Sequence, residues 1–472
     1  MIRMRREQRT FGDGLIEDEA EALYEEWMIQ ADRVLEDEDL IAPFFEALGM
    51  RHPKSRSRGR EGYPAETVMR LMLLKHIRNW SYATLEREVR ANLVYRNFTR
   101  IGGGKVPDAK TMGRWGAALG GEAIKQFHAR LVAIAQINKV VEGRRMRVDT
   151  TVTETNIHYP TDSSLLGDGV RVLTRLMKKI TKIAGDVGTT LRDRTRSVKL
   201  ETLNIARAAR SKAKQSQTKL KQSYRKLLES TSRVIGQAKK FANDVAEGIK
   251  QAVTPRQQLA LDGLREQIET MVPRVKQVMK QTRARIFKGD TRSDGKIFSI
   301  FEPSTEIIRK GKAGKPNEFG KVVKIQEAEN QIVVDYEAYD HRPNDCDVLI
   351  PAIEAHQSAL DRTPYLVAAD AAFHSGKNDS EAKTMGVKRL SVPNRSTKSP
   401  ARKLEQKKRW FRNGQKWRTG CEGRISVLKR RHGLNRCRYK GGRGMKRWVG
   451  LSVSADTLIN IGLVMAQAEA EL

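Results

Sequence analysis

One interruption constrains this chain more than any other feature. At 144–157, RRMRVDTTVTETNI alternates β-branched with polar residues as a strand does, and then residues 165–290 read as helix. Strand patterns return only at 296–301 (KIFSIF), 321–326 (KVVKIQ), 331–339 (QIVVDYEAY), 365–370 (YLVAAD) and 386–392 (GVKRLSV), with a helix, DCDVLIPAIEAHQSALD, ahead of YLVAAD. Whatever sheet the first strand joins must therefore be completed from the far side of a long helical insertion. The order strand, insertion, three strands, helix, strand, strand, helix is that of a mixed α/β domain.

Inside the insertion, Leu220, Tyr224, Leu227, Thr231, Val234, Ala238, Phe241, Val245 and Ala252 share one stripe, broken at Gly248. After Pro255 a second stripe runs through Leu261, Leu264, Ile268, Met271, Val275 and Val278. Two such stripes around a proline predict an antiparallel helical hairpin with a kink at Pro273. Residues 171–290 hold 29 Lys/Arg against 10 Asp/Glu, so the hairpin reads as a DNA-gripping arm, with a coiled-coil spacer as the alternative.

Ahead of the first strand the chain is helical. Leu15, Ala22, Leu23, Trp27, Val34 and Leu35 recur at helical spacing, and RHPKSRSRGREGYP (51–64) has the content of a linker. Helical patterning resumes at Ala65 and continues through SYATLEREVRANLVYRNF and AKTMGRWGAAL, with Asp108 placed to cap the last. Short basic helices with tight turns suit a helix-turn-helix module, and an ordinary helical subdomain fits the same pattern. Twelve acids and one Arg fill residues 13–39. They read as a solvated helix face, or as a transient cover over a basic surface.

Charge narrows the partners. The 472 residues, enough for two to four folding units, carry 89 Lys/Arg against 56 Asp/Glu, a net +33. The second basic block, 387–448, has 22 cations and 2 acids. Two separate blocks fit a protein that grips a polyanion at more than one place. No apolar run of about 18 residues is evident, so no membrane span is expected, and MIRMRREQRT lacks the apolar stretch of a secretory signal. Cys346, Cys421 and Cys437 form neither a disulfide framework nor a CxxC zinc pair, which suits a reducing compartment.

Three acids attach to hydrophobic elements. Asp149 closes MRVD, Asp370 closes YLVAAD, and Glu422 starts the helix WRTGCEGRISVLKRRHG. Carboxylates on a rigid scaffold can converge, and all-oxygen ligand sets suit Mg²⁺ or Mn²⁺. Two such ions can activate an attacking oxygen and stabilise a leaving one at a phosphodiester. A structural hydrogen-bonding role is the alternative for each acid alone. Arg418, Glu422 and Lys429 fall within about 40° around a helix, while Cys421, Ile425 and Leu428 form a neighbouring stripe facing the sheet. An intrahelical Arg–Glu pair would give the same spacing.

These segments resemble a DDE transposase of a bacterial insertion sequence, most closely the ISNCY type. The likeness runs through VDTTVTETNIHYPTDSSLL (148–166), IIRKGKAGKPNEFGKVVKI (307–325), AADAAFHSGKN (368–378) and Arg418-x3-Glu422-x6-Lys429. The last matches a tyrosine–arginine–glutamate–lysine signature at three of four positions, with Gln415 where the tyrosine belongs. The resemblance implies an RNase-H-like catalytic core at 141–165 plus 291–472, interrupted by the basic insertion 166–290. A helical DNA-binding region at 61–140 and an acidic helical segment with linker at 1–60 would precede it. It further implies Asp149, Asp370 and Glu422 as a catalytic triad holding two Mg²⁺ (or Mn²⁺) ions, and Arg418 and Lys429 as phosphate-binding residues. The partners would be double-stranded DNA, both transposon ends and target, handled by a homodimer or larger assembly in the cytoplasm at the nucleoid. With 221 positions from Asp149 to Asp370 and 52 from Asp370 to Glu422, the insertion sits before the second acid. Relatives with a β-rich insertion place theirs after it. A catalytically silent DNA-binding descendant, or an RNase-H-like nuclease without strand transfer, are the competing readings. His374 is expected near the site without being a ligand, and Trp410 and Trp417 either pack in the core or stack on an unpaired base.

Overall fold

The computed structural model describes residues 1–6, 14, 17, 19–51, 54, 56, 61–213, 215–312 and 315–471. Leu15 and half of the 51–64 linker lie outside the described residues. The chain divides into two compact units, one of residues 1–156 with 308–472 and one of residues 157–307.

The first unit opens with α1 (Glu26–Val34), α2 (Glu38–Gly49), α3 (Ala65–Ile77), α4 (Tyr82–Ala91), α5 (Leu93–Phe98), α6 (Ala109–Ala118) and α7 (Gly121–Ile137). Asp108 caps α6, accepting from the Thr111 N–H at 2.8 Å. Every residue of α3 is buried, so the other helices wrap around it. Several acids of the 13–39 run pair with arginines of the neighbouring helices. Asp32 pairs with the buried Arg70 and with Arg100, Glu25 with Arg78, and Asp37 with Arg130 at 2.6 Å. The Arg130 hydrogen bonds hold the Asp37 carboxyl below its usual range.

The sheet follows. Strand β1 (Arg145–Thr155) runs antiparallel to β3 (Lys315–Glu327) and parallel to β5 (Leu366–Ala368), which is parallel to β6 (Arg389–Ser391). With β2 (Glu306–Lys312), β4 (Val333–Ala338) and β7 (Arg436–Cys437) the path is β2-β3-β1-β5-β6, with β4 on β3 and β7 on β1. Three antiparallel strands followed by two parallel ones make the RNase-H-like arrangement. Helix α12 (Leu349–Leu360) and α13 (Gly376–Thr384) cover one face over Met146, Val148, Val367, Ala369, Leu390 and Val392. On the other face, α15 (Arg409–Arg431), preceded by α14 (Pro400–Lys407), and α16 (Gly441–Ala470) meet Val323 and Ile325 through Cys421, Ile425, Leu428 and Trp448. Helix α16 also enters the N-terminal helical core through Leu451, Ala455, Leu458 and Ile461. Its length and hydropathy would suit a membrane span, yet 72% of that window is buried inside the protein.

Strand β1 forms within the 144–157 pattern. Asp149 lies in its interior, opposite Ile325, and does not close it.

The second unit contains four helices where a two-helix hairpin was expected: α8 (Asp162–Ala184), α9 (Thr195–Arg210), α10 (Ser216–Ala246) and α11 (Pro255–Lys288). Both stripes are buried against Leu166, Val170, Leu173, Met177 and Ile180 of α8 and Val198 and Ile205 of α9. Helix α8 is itself amphipathic, so it supplies the apolar faces that a lone hairpin would leave bare. Pro255 opens α11 at its first turn, and Pro273 sits inside an unbroken helix. KIFSIF forms no strand. The Gln281 amide takes both the N–H and the C=O of Ile297 at 3.0 Å, and Arg274 takes the Ile300 carbonyl at 2.8 Å. Side chains of α11 thus satisfy the backbone that a neighbouring strand would have satisfied.

Gly450 on α16 sits at a tight joint of the first unit: a Cβ there would stand 2.4 Å from the Tyr336 hydroxyl and 2.6 Å from Ile124. Gly450→Ala is expected to destabilise the protein by about 1–3 kcal/mol. A shift in the denaturant midpoint checks this, and an unchanged midpoint would show that the joint yields.

Candidate active site

Helix α15 crosses the α15-facing side of the sheet from β6 to β3. Ser391 donates its hydroxyl to the Phe411 carbonyl at 2.9 Å, and a Cβ on Gly414 would lie 2.7 Å from Ser391. Further along, the Gln415 amide donates to the carbonyls of Ala369 (3.2 Å) and Ser391. Beyond that, a Cβ on Gly420 would collide with the Arg147 guanidinium, 2.2 Å from one nitrogen. Cys421 then packs against Ile325. Two glycines let the helix lie close, and Gln415 fastens it to the ends of β5 and β6.

Beneath α15, Arg147 forms a bidentate ion pair with the fully buried Glu327, one arm at 2.9 Å, and donates to the Trp417 carbonyl at 2.6 Å. Its guanidinium also lies 4.8 Å from the Trp417 ring centre. Burial of Glu327 raises its carboxyl pKa, opposed by Arg147. Two residues along β1, on the same face, comes Asp149.

The register of β1 on β5 pairs Arg147 with Ala368. Asp370 follows two residues after the end of β5, in the turn beside Asp149, and its charge acts on Asp149. Each aspartate accepts the following backbone N–H at 2.7 Å, Thr150 for Asp149 and Ala371 for Asp370, which fixes one oxygen of each. From α15, Arg418 reaches Glu422 at 3.0 Å and Asp149 at 3.9 Å. The intrahelical Arg–Glu pair thus forms, and the same guanidinium also approaches Asp149. Asp149 is 19% exposed, Arg418 13% and Glu422 60%. The site is rooted in the sheet and opens to solvent at Glu422. Half-buried Lys429 follows on the same face, two turns beyond Glu422. His374, beside Asp370, leans toward Asp379 at 3.6 Å.

Burial raises the Asp149 pKa. The Thr150 N–H and Arg418 pull it down, and Glu422 and Asp370 push it up. Both other carboxylates therefore act on Asp149. As placed, no three His, Cys, Asp or Glu side chains among the described residues close on a common point tightly enough to ligate one ion. The donor set nonetheless fits a hard dication: oxygen only, with an excess of negative charge that Arg418 offsets in part.

The sequence pattern did not reveal Arg147, Glu327 or the role of Gln415. Arg147 and Glu327 are 180 residues apart, so no local spacing signals the pair. A charged residue alternating inward beside buried Met146 and Val148 was the available clue.

Two family models match the chain. Residues 26–117, from α1 to α6, match a transposase domain (DUF772), and residues 379–461 match a transposase DDE domain. The second contains Arg418, Glu422 and Lys429, while Asp149 and Asp370 lie outside both. No curated protein and no solved structure matches the chain.

A pH dependence follows from Asp149. Because its pKa is raised in the folded state, the folded chain binds the extra proton, and stability falls as pH rises from the unfolded toward the folded pKa. Asp149→Asn removes that loss, so in chelator it should melt above wild type at neutral pH and match it in acid. Added Mg²⁺ should raise the wild-type melting temperature more than the variant's. Equal Mg²⁺ responses would remove Asp149 from the metal site.

Proposed function

We propose, for a chain that belongs to the DDE transposases of insertion sequences, that Asp149, Asp370 and Glu422 form the catalytic triad for cutting and joining DNA. The observation that carries this is the placement of Arg418 between Asp149 and Glu422, with Asp370 just beyond the end of the adjoining strand β5 and acting on Asp149. When bound, two Mg²⁺ ions supply activation of the attacking oxygen and stabilisation of the leaving one.

The chain's own residues do the rest. Asp149 and Asp370 each keep one oxygen tied to backbone, so their other oxygens point from fixed positions. Glu422, the most exposed of the three, closes the set from α15 once its pairing with Arg418 is relaxed. Released from Glu422, the Arg418 fork is free for phosphate oxygens, and Lys429 meets the strand two turns further on. In the first step water attacks the phosphorus at the element's end, the bond from phosphorus to the 3′-oxygen breaks, and a 3′-hydroxyl is left. That hydroxyl then attacks a phosphodiester of the target, whose own 3′-oxygen leaves. Because both ends must be joined to one target, the working form is a dimer or larger assembly on paired ends. The N-terminal helices and the basic second unit supply sequence-tolerant grip through their cations.

Asp149→Ala, Asp370→Ala and Glu422→Ala should each lower Mg²⁺-dependent nicking by at least about a thousandfold while gel-shift affinity stays within a few fold, since affinity comes from phosphate contacts. Arg418→Lys keeps the charge but loses the fork, and should lose most activity. A variant that nicks at the wild-type rate leaves the triad.

For the second unit, replacing residues 171–290 with a short Gly/Ser linker removes 29 cations and 10 acids. The slope of log affinity against log salt should flatten. An unchanged slope would make the unit a spacer.

A further inference from the structure

At the opposite ends of the same strands lies a second chemical surface. Arg145, Leu366 and Arg389 are in register across β1, β5 and β6, so the two arginines stand level, two strands apart, at the N-terminal edge. The Arg145 guanidinium lies 5.2 Å from the Trp417 ring centre. That of Arg389 lies 5.2 Å from Tyr365 and 5.6 Å from Trp410. Neither arginine pairs with a carboxylate among the described residues. Tyr365 is 49% exposed, and the arginines are exposed with it. A cleft of about 830 Å³ adjoins them, adding Arg144, Arg362 and Lys388. Its two acids are already engaged. Glu329 accepts the N–H groups of Gly143 and Arg145 at 3.0 and 2.7 Å, and Glu142 pairs with Arg144 at 3.3 Å. Glu329 thereby also fixes the backbone that presents Arg145.

Trp417 also lies against the buried Arg147 and Trp410 against Phe411, but the exposed contacts that Arg145 and Arg389 make with these rings add little to folding. We propose that the edge ledge of Arg145, Arg389, Tyr365, Trp410 and Trp417 binds unpaired nucleotides of a DNA strand. Duplex bases are stacked on one another, and only a single strand can present base faces to rings and guanidinium planes. Trp410 and Trp417 are seven residues apart on α15, about 10 Å of helix, which matches roughly three nucleotide steps. Asp149 stands four residues along β1 from Arg145, about 13 Å. The ledge would thus hold a strand displaced or frayed next to the cut, and this role rests on the DNA-cutting function proposed above.

The test uses the full-length protein and a fluorescein-labelled thymidylate oligomer of about 12 nucleotides, with a duplex of equal length alongside. Arg145→Ala with Arg389→Ala, and separately Trp410→Ala, should weaken oligothymidylate binding about tenfold or more. Trp410→Phe should restore most of it, and duplex affinity should move by less than about twofold. Single-strand affinity within about twofold of wild type in the double arginine variant overturns the proposal, as do equal losses on single strand and duplex. Should Trp410→Ala melt early, the exposed arginine pair decides alone. Nicking by Asp149→Ala is read separately, so the ledge can fail while the triad stands, and the reverse.

Discussion

The close seating of α15 on the sheet is what the rest of the site depends on. A helix can approach a sheet this nearly only where it lacks side chains at the crossing points, and Gly414 and Gly420 are those points. Into the space beneath Gly420 goes the Arg147 guanidinium, which must be neutralised and hydrogen-bonded because it has left water. Glu327 from β3 and the Trp417 carbonyl do both. One buried ion pair therefore ties β1, β3 and α15 together two residues from Asp149. Any tilt of the helix would both unpair a buried charge and move Arg418 and Glu422 relative to the strands.

That arrangement also sets the electrostatics. Asp149 is held among carboxylates that raise its pKa, and one guanidinium offsets part of the repulsion. A site with surplus negative charge and a single mobile cation is poised to accept further positive charge. Arg418 divides its charge between Glu422 at 3.0 Å and Asp149 at 3.9 Å. Gln415 has a complementary task. By holding the carbonyls of Ala369 and Ser391, it fixes the turn from which Asp370 emerges, so the position where a tyrosine was expected anchors the site through backbone.

Much of this was legible in the sequence, for definite reasons. The β-branched alternation of β1, the apolar YLVA ahead of Asp370 and the Cys421, Ile425, Leu428 stripe are local patterns, and each formed its element. The chain-order argument put the insertion between the first strand and the rest, and the second compact unit runs from 157 to 307. What escaped was non-local. The Arg147–Glu327 pair spans 180 residues. KIFSIF has strand composition, but Gln281 and Arg274 claimed its backbone first. The apolar stripes of the insertion were real, yet their partners, α8 and α9, made a four-helix unit out of the expected hairpin. Asp149 was read as closing MRVD although the strand pattern runs on to 157; the strand continues past it, and it is the neighbour β5 that ends.

That last point explains why an interior aspartate can be a reactive one. In a sheet of equal strands Asp149 would be walled in by backbone on both sides. Here β5 stops at Ala368, so the parallel side of Asp149 faces the turn at Asp370 instead of another ladder bond. Its antiparallel side stays paired with β3 and rigid. The opening is made by the shortness of one strand, and α15 passes over that gap carrying Arg418 and Glu422. Rigidity from β3 and access from the end of β5 are thus supplied by different neighbours of the same residue.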